Sequence, residues 1–125
     1  MEEIQLDPAP VLIARDVSRI VAREIALYDP VTEALKASRN GSQANAIWYE
    51  NNLRAFQEAL IDPQEVTVHF AGGFEQLCWS VTRTDGRYRV IYIPRAGYFA
   101  LVMESAIGPL DMAVHGKALD VFASI

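Results

Sequence analysis

Apolar residues along the first sixty positions recur at helical spacing. Ile13, Val17, Ile20, Val21, Ile25 and Tyr28 fall three or four apart, while Arg15, Arg19, Arg23 and Asp16 lie mostly on the other side. This predicts an amphipathic helix, with Asp7-Pro8 as its capped start. Asp29-Pro30 repeats the start signal and Asn40-Gly41 supplies a stop, so a second helix of two to three turns is expected between them. Ser42 can cap a third helix whose stripe is Ile47, Tyr49, Leu53, Phe56 and Leu60, and Asp62-Pro63 ends it.

The period then changes from 3.6 to 2. Val66, Val68 and Phe70 alternate with Thr67 and His69 until Gly72-Gly73, and Leu77, Trp79 and Val81 alternate with Cys78, Ser80 and Thr82. Asp85-Gly86 is a hairpin signal of type I′, which requires positive φ at both central residues. Centring the turn there pairs Arg83 with Tyr88, Val81 with Val90, Trp79 with Tyr92 and Cys78 with Ile93. One face then carries Trp79, Val81, Val90 and Tyr92. The other carries Thr82, Thr84, Arg87 and Arg89 near the tip, with Cys78, Ile91 and Ile93 toward the base.

Pro94-Arg95-Ala96-Gly97 makes the next turn, and Tyr98–Glu104 is apolar on both faces, as an inner strand should be. Beyond Gly108-Pro109, Leu110, Met112 and Val114 alternate with Asp111, Ala113 and His115. Leu119, Phe122 and Ile125 fit a short closing helix, with a last strand as the alternative. The expectation is one α+β domain over residues 1–125, its helical half at about 8–61 and its sheet half at about 65–125. N-terminal helices pack on the Trp79/Val81/Val90/Tyr92 face of a four- to five-stranded antiparallel sheet, which a short C-terminal helix closes.

Composition narrows the function. With 125 residues and 51% hydrophobic content the chain can bury one core without staples. Its net charge of −5 is uneven. Residues 1–65 carry eleven acids and six bases, residues 66–125 five of each. An acidic helical half and a locally basic hairpin argue against general nucleic-acid binding. No apolar run nears the roughly 20 residues needed to span a bilayer. The start, MEEIQLDPAP, lacks the pattern of a signal peptide, so a cytoplasmic protein is expected. Asn40-Gly41-Ser42 matches a glycosylation sequon but reads as a turn between helices.

Signatures of chemistry are sparse. The single cysteine, Cys78, allows neither an internal disulfide nor a multi-cysteine metal site, and mid-strand beside Trp79 it reads as a buried, inert thiol. His69, His115 and Asp111 could arithmetically supply a two-histidine, one-carboxylate site, but their spacing does not support one and they read as polar-face residues. GxSxG is absent, and Gly72-Gly73 joins two strands rather than a strand and a helix, so no phosphate loop is read there. No catalytic residue, metal or cofactor is assigned. Most aromatics belong to the core, Tyr88 beside the turn excepted. Asp16, Glu24, Glu33, Glu50 and Glu58 read as an ordinary solvated helix face.

Two surfaces remain. The hairpin RTDGRYRVIYIPR brings four arginines and one acid together, and Arg83, Arg87, Tyr88, Arg89 and Arg95 form the candidate binding set, with Arg87 and Arg89 projecting from one face. The alternative is a pocket between helices and sheet whose polar groups are Arg89, Tyr92, Tyr98 and His115. The leading functional expectation is a small non-catalytic, regulatory, protein-binding protein, with the profile of adaptors, immunity proteins or phage-type inhibitors. A small-molecule-binding domain or enzyme built on the pocket is the alternative. A symmetric homodimer would protect a sheet edge at Val66–Phe70 or Leu110–His115.

Overall fold

The computed structural model describes residues 11–41 and 45–125. Three helices, α1 (Ala14–Leu27), α2 (Pro30–Arg39) and α3 (Ala46–Ala59), precede five strands. These are β1 (Leu60–Phe70), β2 (Phe74–Thr82), β3 (Tyr88–Ile93), β4 (Tyr98–Met103) and β5 (Leu110–Gly116), and the short helix α4 (Ala118–Phe122) follows. The chain is therefore α+β, with helices before an antiparallel five-stranded sheet and a helix after it.

Helix boundaries follow local chemistry. The Asp7-Pro8 start and the Ser42 cap lie outside the described residues. Within them α1 begins at Ala14, where the Asp16 carboxylate accepts the Ile13 amide (2.9 Å). The Asp29 side chain caps α2, accepting from the Val31 amide (3.1 Å) and the Thr32 hydroxyl (2.8 Å), and Pro30 fills the first turn. These bonds hold the Asp29 carboxyl below its usual pKa, Thr32 contributing most. The cap of α3 is Asn45, whose side chain accepts from the Trp48 amide (3.1 Å).

The sheet begins earlier than expected. Leu60 turns directly from helix into strand (φ −60°, ψ 142°), so β1 contains Pro63 instead of starting after it. Proline has no amide to donate, and it sits where the pairing with β2 is irregular, between Leu60↔Thr82 and Gln64↔Ser80. Neighbouring strands then run antiparallel through to β5. A parallel contact between His69 and Leu110 closes the sheet into a barrel, with the His69 amide donating to the Pro109 carbonyl (2.9 Å). The two segments expected to be free edges thus meet each other, and edge protection no longer supplies a reason for a dimer.

The strand alternation separates two cores. Trp79, Val81, Val90, Tyr92, Phe99 and Leu101 face outward from the barrel, under Val17 and Val21 of α1, Phe56 of α3 and Leu119 of α4. Phe56 is fully buried and meets Phe122 edge-on at 5.3 Å. Inside the barrel lie Val68, Cys78, Ile91, Ile93, Ala100 and Val102. Trp79 pairs with Tyr92 and Ser80 with Ile91, the register read from the sequence.

Toward the hairpin tip the register departs from expectation. Asp85, not Arg83, bonds its amide to the Tyr88 carbonyl (3.1 Å). The loop is therefore residues 83–87 with its tip at Gly86-Arg87, Gly86 at φ +97° and Arg87 on the ordinary side, so a type I′ turn centred on Asp85-Gly86 does not form. The cause is long-range. The Arg83 amide is given to the Ala59 carbonyl (2.9 Å), and the Thr82 hydroxyl takes the Val90 amide (3.0 Å), so β2 leaves β3 before the turn.

Candidate functional site

The hairpin arginines do not converge. Arg83 donates through its guanidinium to the Glu58 carbonyl, putting a cation at the C-terminal end of α3, where the helix dipole favours one. Arg87 lies over the Tyr88 ring at 5.7 Å, a cation–π contact at the surface. Arg89 turns into the barrel mouth, where its Nε approaches Glu104 Oε1 to 2.7 Å and its Nη1 lies 3.4 Å from Ser80 Oγ. That closest contact is an ion pair rather than an aligned hydrogen bond. Arg95 is in the turn at the opposite end of β3. The joint projection of Arg87 and Arg89 is therefore corrected: strand parity puts Arg89 on the face of Ile91 and Ile93, which is the barrel interior, while Arg87 belongs to the loop.

Two of the five do share a recess. Arg83, Asp85 and Tyr88 line a cleft of about 240 Å³ with Glu58, Phe122 and Ile125. Asp85 shapes its rim, since its carboxylate accepts the amides of Tyr88 (2.7 Å) and Arg87 (2.8 Å), which hold its pKa below the usual range.

The four residues of the alternative pocket also divide. Tyr92 is buried beneath the helices, and burial raises its phenol pKa. Arg89 is occupied by Glu104. The middle of the space between helices and sheet, where a cavity was expected, is filled by Val17, Phe56, Val81 and Val90, each without solvent exposure, and open clefts lie at its margins. Tyr98 and His115 do come together, their rings stacked at 5.0 Å and 20°.

His115 is placed by a distortion that the alternation concealed. Ala100 pairs with His115 but Val102 with Asp111, so β5 has two residues more than β4 across this stretch. Ala113 takes φ +59°, a left-handed conformation that disfavours a Cβ. In a straight strand Asp111 and His115 would be about 13 Å apart. The bulge brings His115 Nε2 to 2.8 Å from Asp111 Oδ1. His69 is elsewhere, its Nδ1 3.6 Å from Glu75. Among the described residues no three His, Cys, Asp or Glu side chains form a metal cluster. Cys78 is buried, and burial, reinforced by the Asp111 charge, pushes its thiol up to about 12.

Two features were not singled out from the sequence. One is an open cleft of about 350 Å³ between α1 and the ends of β4 and β5, which Tyr98 lines. The other is the α2–α3 surface. None of the residues of α2 is buried, yet Val31 and Leu35 lie one turn apart at 54% and 57% exposure. At the start of α3, Ile47 and Trp48 are also exposed. Val31, Leu35 and Trp48 are apolar residues outside the expected core stripes, whereas Ile47, expected in the stripe of α3, is exposed instead.

No protein-family model, curated protein or solved structure matches this chain. Among the described residues no helix is long and apolar enough to cross a membrane.

Proposed function

We propose that this chain is a small, non-catalytic protein-binding protein of regulatory type, acting in the cytoplasm and engaging its partner through the α2–α3 surface. The observation that carries the reading is the exposure of Val31, Leu35, Ile47 and Trp48 on two helices that pack on each other. Large apolar side chains left in water over successive turns cost solubility unless a partner covers them. Tryptophan is also the residue type most enriched among energetically dominant contacts at protein interfaces. The unpaired, buried Cys78 suits a reducing compartment.

The test compares wild type with a Leu35→Gln, Trp48→Gln variant as tagged baits in extract of the source cells, followed by titration of the purified captured protein. Both positions are exposed, so the melting temperature should be unchanged. A partner that binds wild type and binds the variant at least tenfold more weakly supports the reading. Equal binding by both proteins, or capture no better than bare resin, overturns it. So does light scattering that shows wild type as a dimer and the variant as a 13.9 kDa monomer, because the covering surface would then be a second copy.

A further inference from the structure

The cleft between α1 and the ends of β4 and β5 has the size of a small-molecule site, about 350 Å³ against a usual range of about 300–1,000 Å³. We propose that it binds a small amphipathic anion, a carboxylate head carrying a short apolar tail. Arg23 of α1 and Lys117, just beyond β5, flank the opening, and both are exposed. Among the described residues neither has a carboxylate within ion-pair distance. Glu24 is the acid in the lining, and its Oε1 accepts the Ala118 amide (2.8 Å), directing that carboxylate at the first turn of α4. Two cations and one carboxylate leave a net charge of +1, which matches a monoanion.

The remaining walls suit a tail. Ile20 and Leu27 line one side, and Phe99, almost wholly buried, forms part of the other. Tyr98 stands beside it with its ring stacked on His115, which Asp111 holds in turn. Gly97 and Gly116 belong to the lining, and a Cβ at either would meet nothing within 4 Å, so the surface there is open. Their φ values of +73° and +150° also disfavour a side chain there. A guanidinium and an ammonium at the mouth of an apolar recess select a charged head over a neutral one, and the recess selects a tail over a bare anion. These residues differ from those of the α2–α3 surface, so either reading can fail without the other.

The experiment titrates ¹⁵N-labelled protein separately with sodium octanoate, octan-1-ol and sodium acetate, following amide shifts. Octanoate should give saturable shifts centred on Gly97, Phe99 and Gly116, with octanol and acetate each about tenfold weaker or more, the loss of one charge-assisted or apolar set of contacts. An Arg23→Gln, Lys117→Gln variant should keep the wild-type spectrum and melting temperature and weaken octanoate about tenfold. The proposal is overturned if octanol matches octanoate, if the shifts centre elsewhere, if the variant binds like wild type, or if no saturable shift occurs.

Discussion

The two faces of the barrel wall are held in different ways. The outward face meets helices, and its contacts are apolar from Val17 and Phe56 down to Trp79 and Leu101. The inward face is apolar only in the middle, at Val68, Cys78, Ile91 and Val102. Farther along it, Arg89 meets Glu104 beside Ser80, and Asp111 meets His115. A flat face can be covered by helices of any suitable volume. A five-stranded barrel has open ends, so side chains there must reach water or pair with one another. Burial of apolar volume should therefore dominate stability on the outer face, and pairing should set specificity on the inner one.

Phe56→Ala tests the first half of that contrast and should have the largest effect. Phe56 has no solvent exposure and contacts Phe122, so truncation leaves a cavity between α3 and α4 and should cost about 3–5 kcal/mol in denaturant unfolding. A loss below that of any inner-face variant would reverse the ranking of the two faces.

The inner face predicts non-additivity. The Arg89 and Glu104 side chains are 20% and 29% exposed, so breaking the pair should cost less than the several kcal/mol of a fully buried pair, about 2 kcal/mol for Glu104→Leu or Arg89→Met alone. Each single variant leaves one partly buried charge without its partner. The double variant strands neither and should be no less stable than either single one. Additive losses in the double-mutant cycle would mean that the two side chains act through packing rather than through each other.

The same contrast explains what the sequence made legible. The outer face is written in strict alternation, so the Trp79↔Tyr92 register and its helix cover could be read from residue types. Helix α2 was equally plain, because Asp29-Pro30 and Asn40-Gly41 act locally. The inner face and its ends depend on contacts distant in sequence. Nothing near His69 announces that it will pair with Leu110 and close the barrel. Arg83 reads as a hairpin arginine until Ala59 and Glu58 claim its amide and guanidinium. Ala113 carries no glycine-like signal for the bulge that joins Asp111 to His115. The sequence thus suggested chemically apt residues for a site, but their convergence was decided by closure and by the bulge, and the open cleft lies instead beside Arg23, Tyr98 and Lys117.

The smallest expected effect, a pH dependence, tests how dry the inner face is. Cys78 sits there with no exposed surface, and its thiol pKa is pushed up to about 12 by burial and the nearby Asp111 charge. In the unfolded chain the thiol ionises near 8.5. The folded protein therefore retains a proton that the unfolded chain releases, and stability falls as pH rises. This contribution is fully present below about pH 8.5 and is lost progressively from there toward about 12. Tyr28 and Tyr92, whose folded pKa values are also raised by burial, add the same trend only above about pH 10. Comparing pH 7.5 with pH 9.5 isolates the thiol. Discounted for solvent screening, wild type should lose about 1 kcal/mol more unfolding free energy over that interval than Cys78→Ala. If both proteins show the same alkaline slope, the thiolate is tolerated in the barrel, so water reaches the sulfur and the inner face is not sealed.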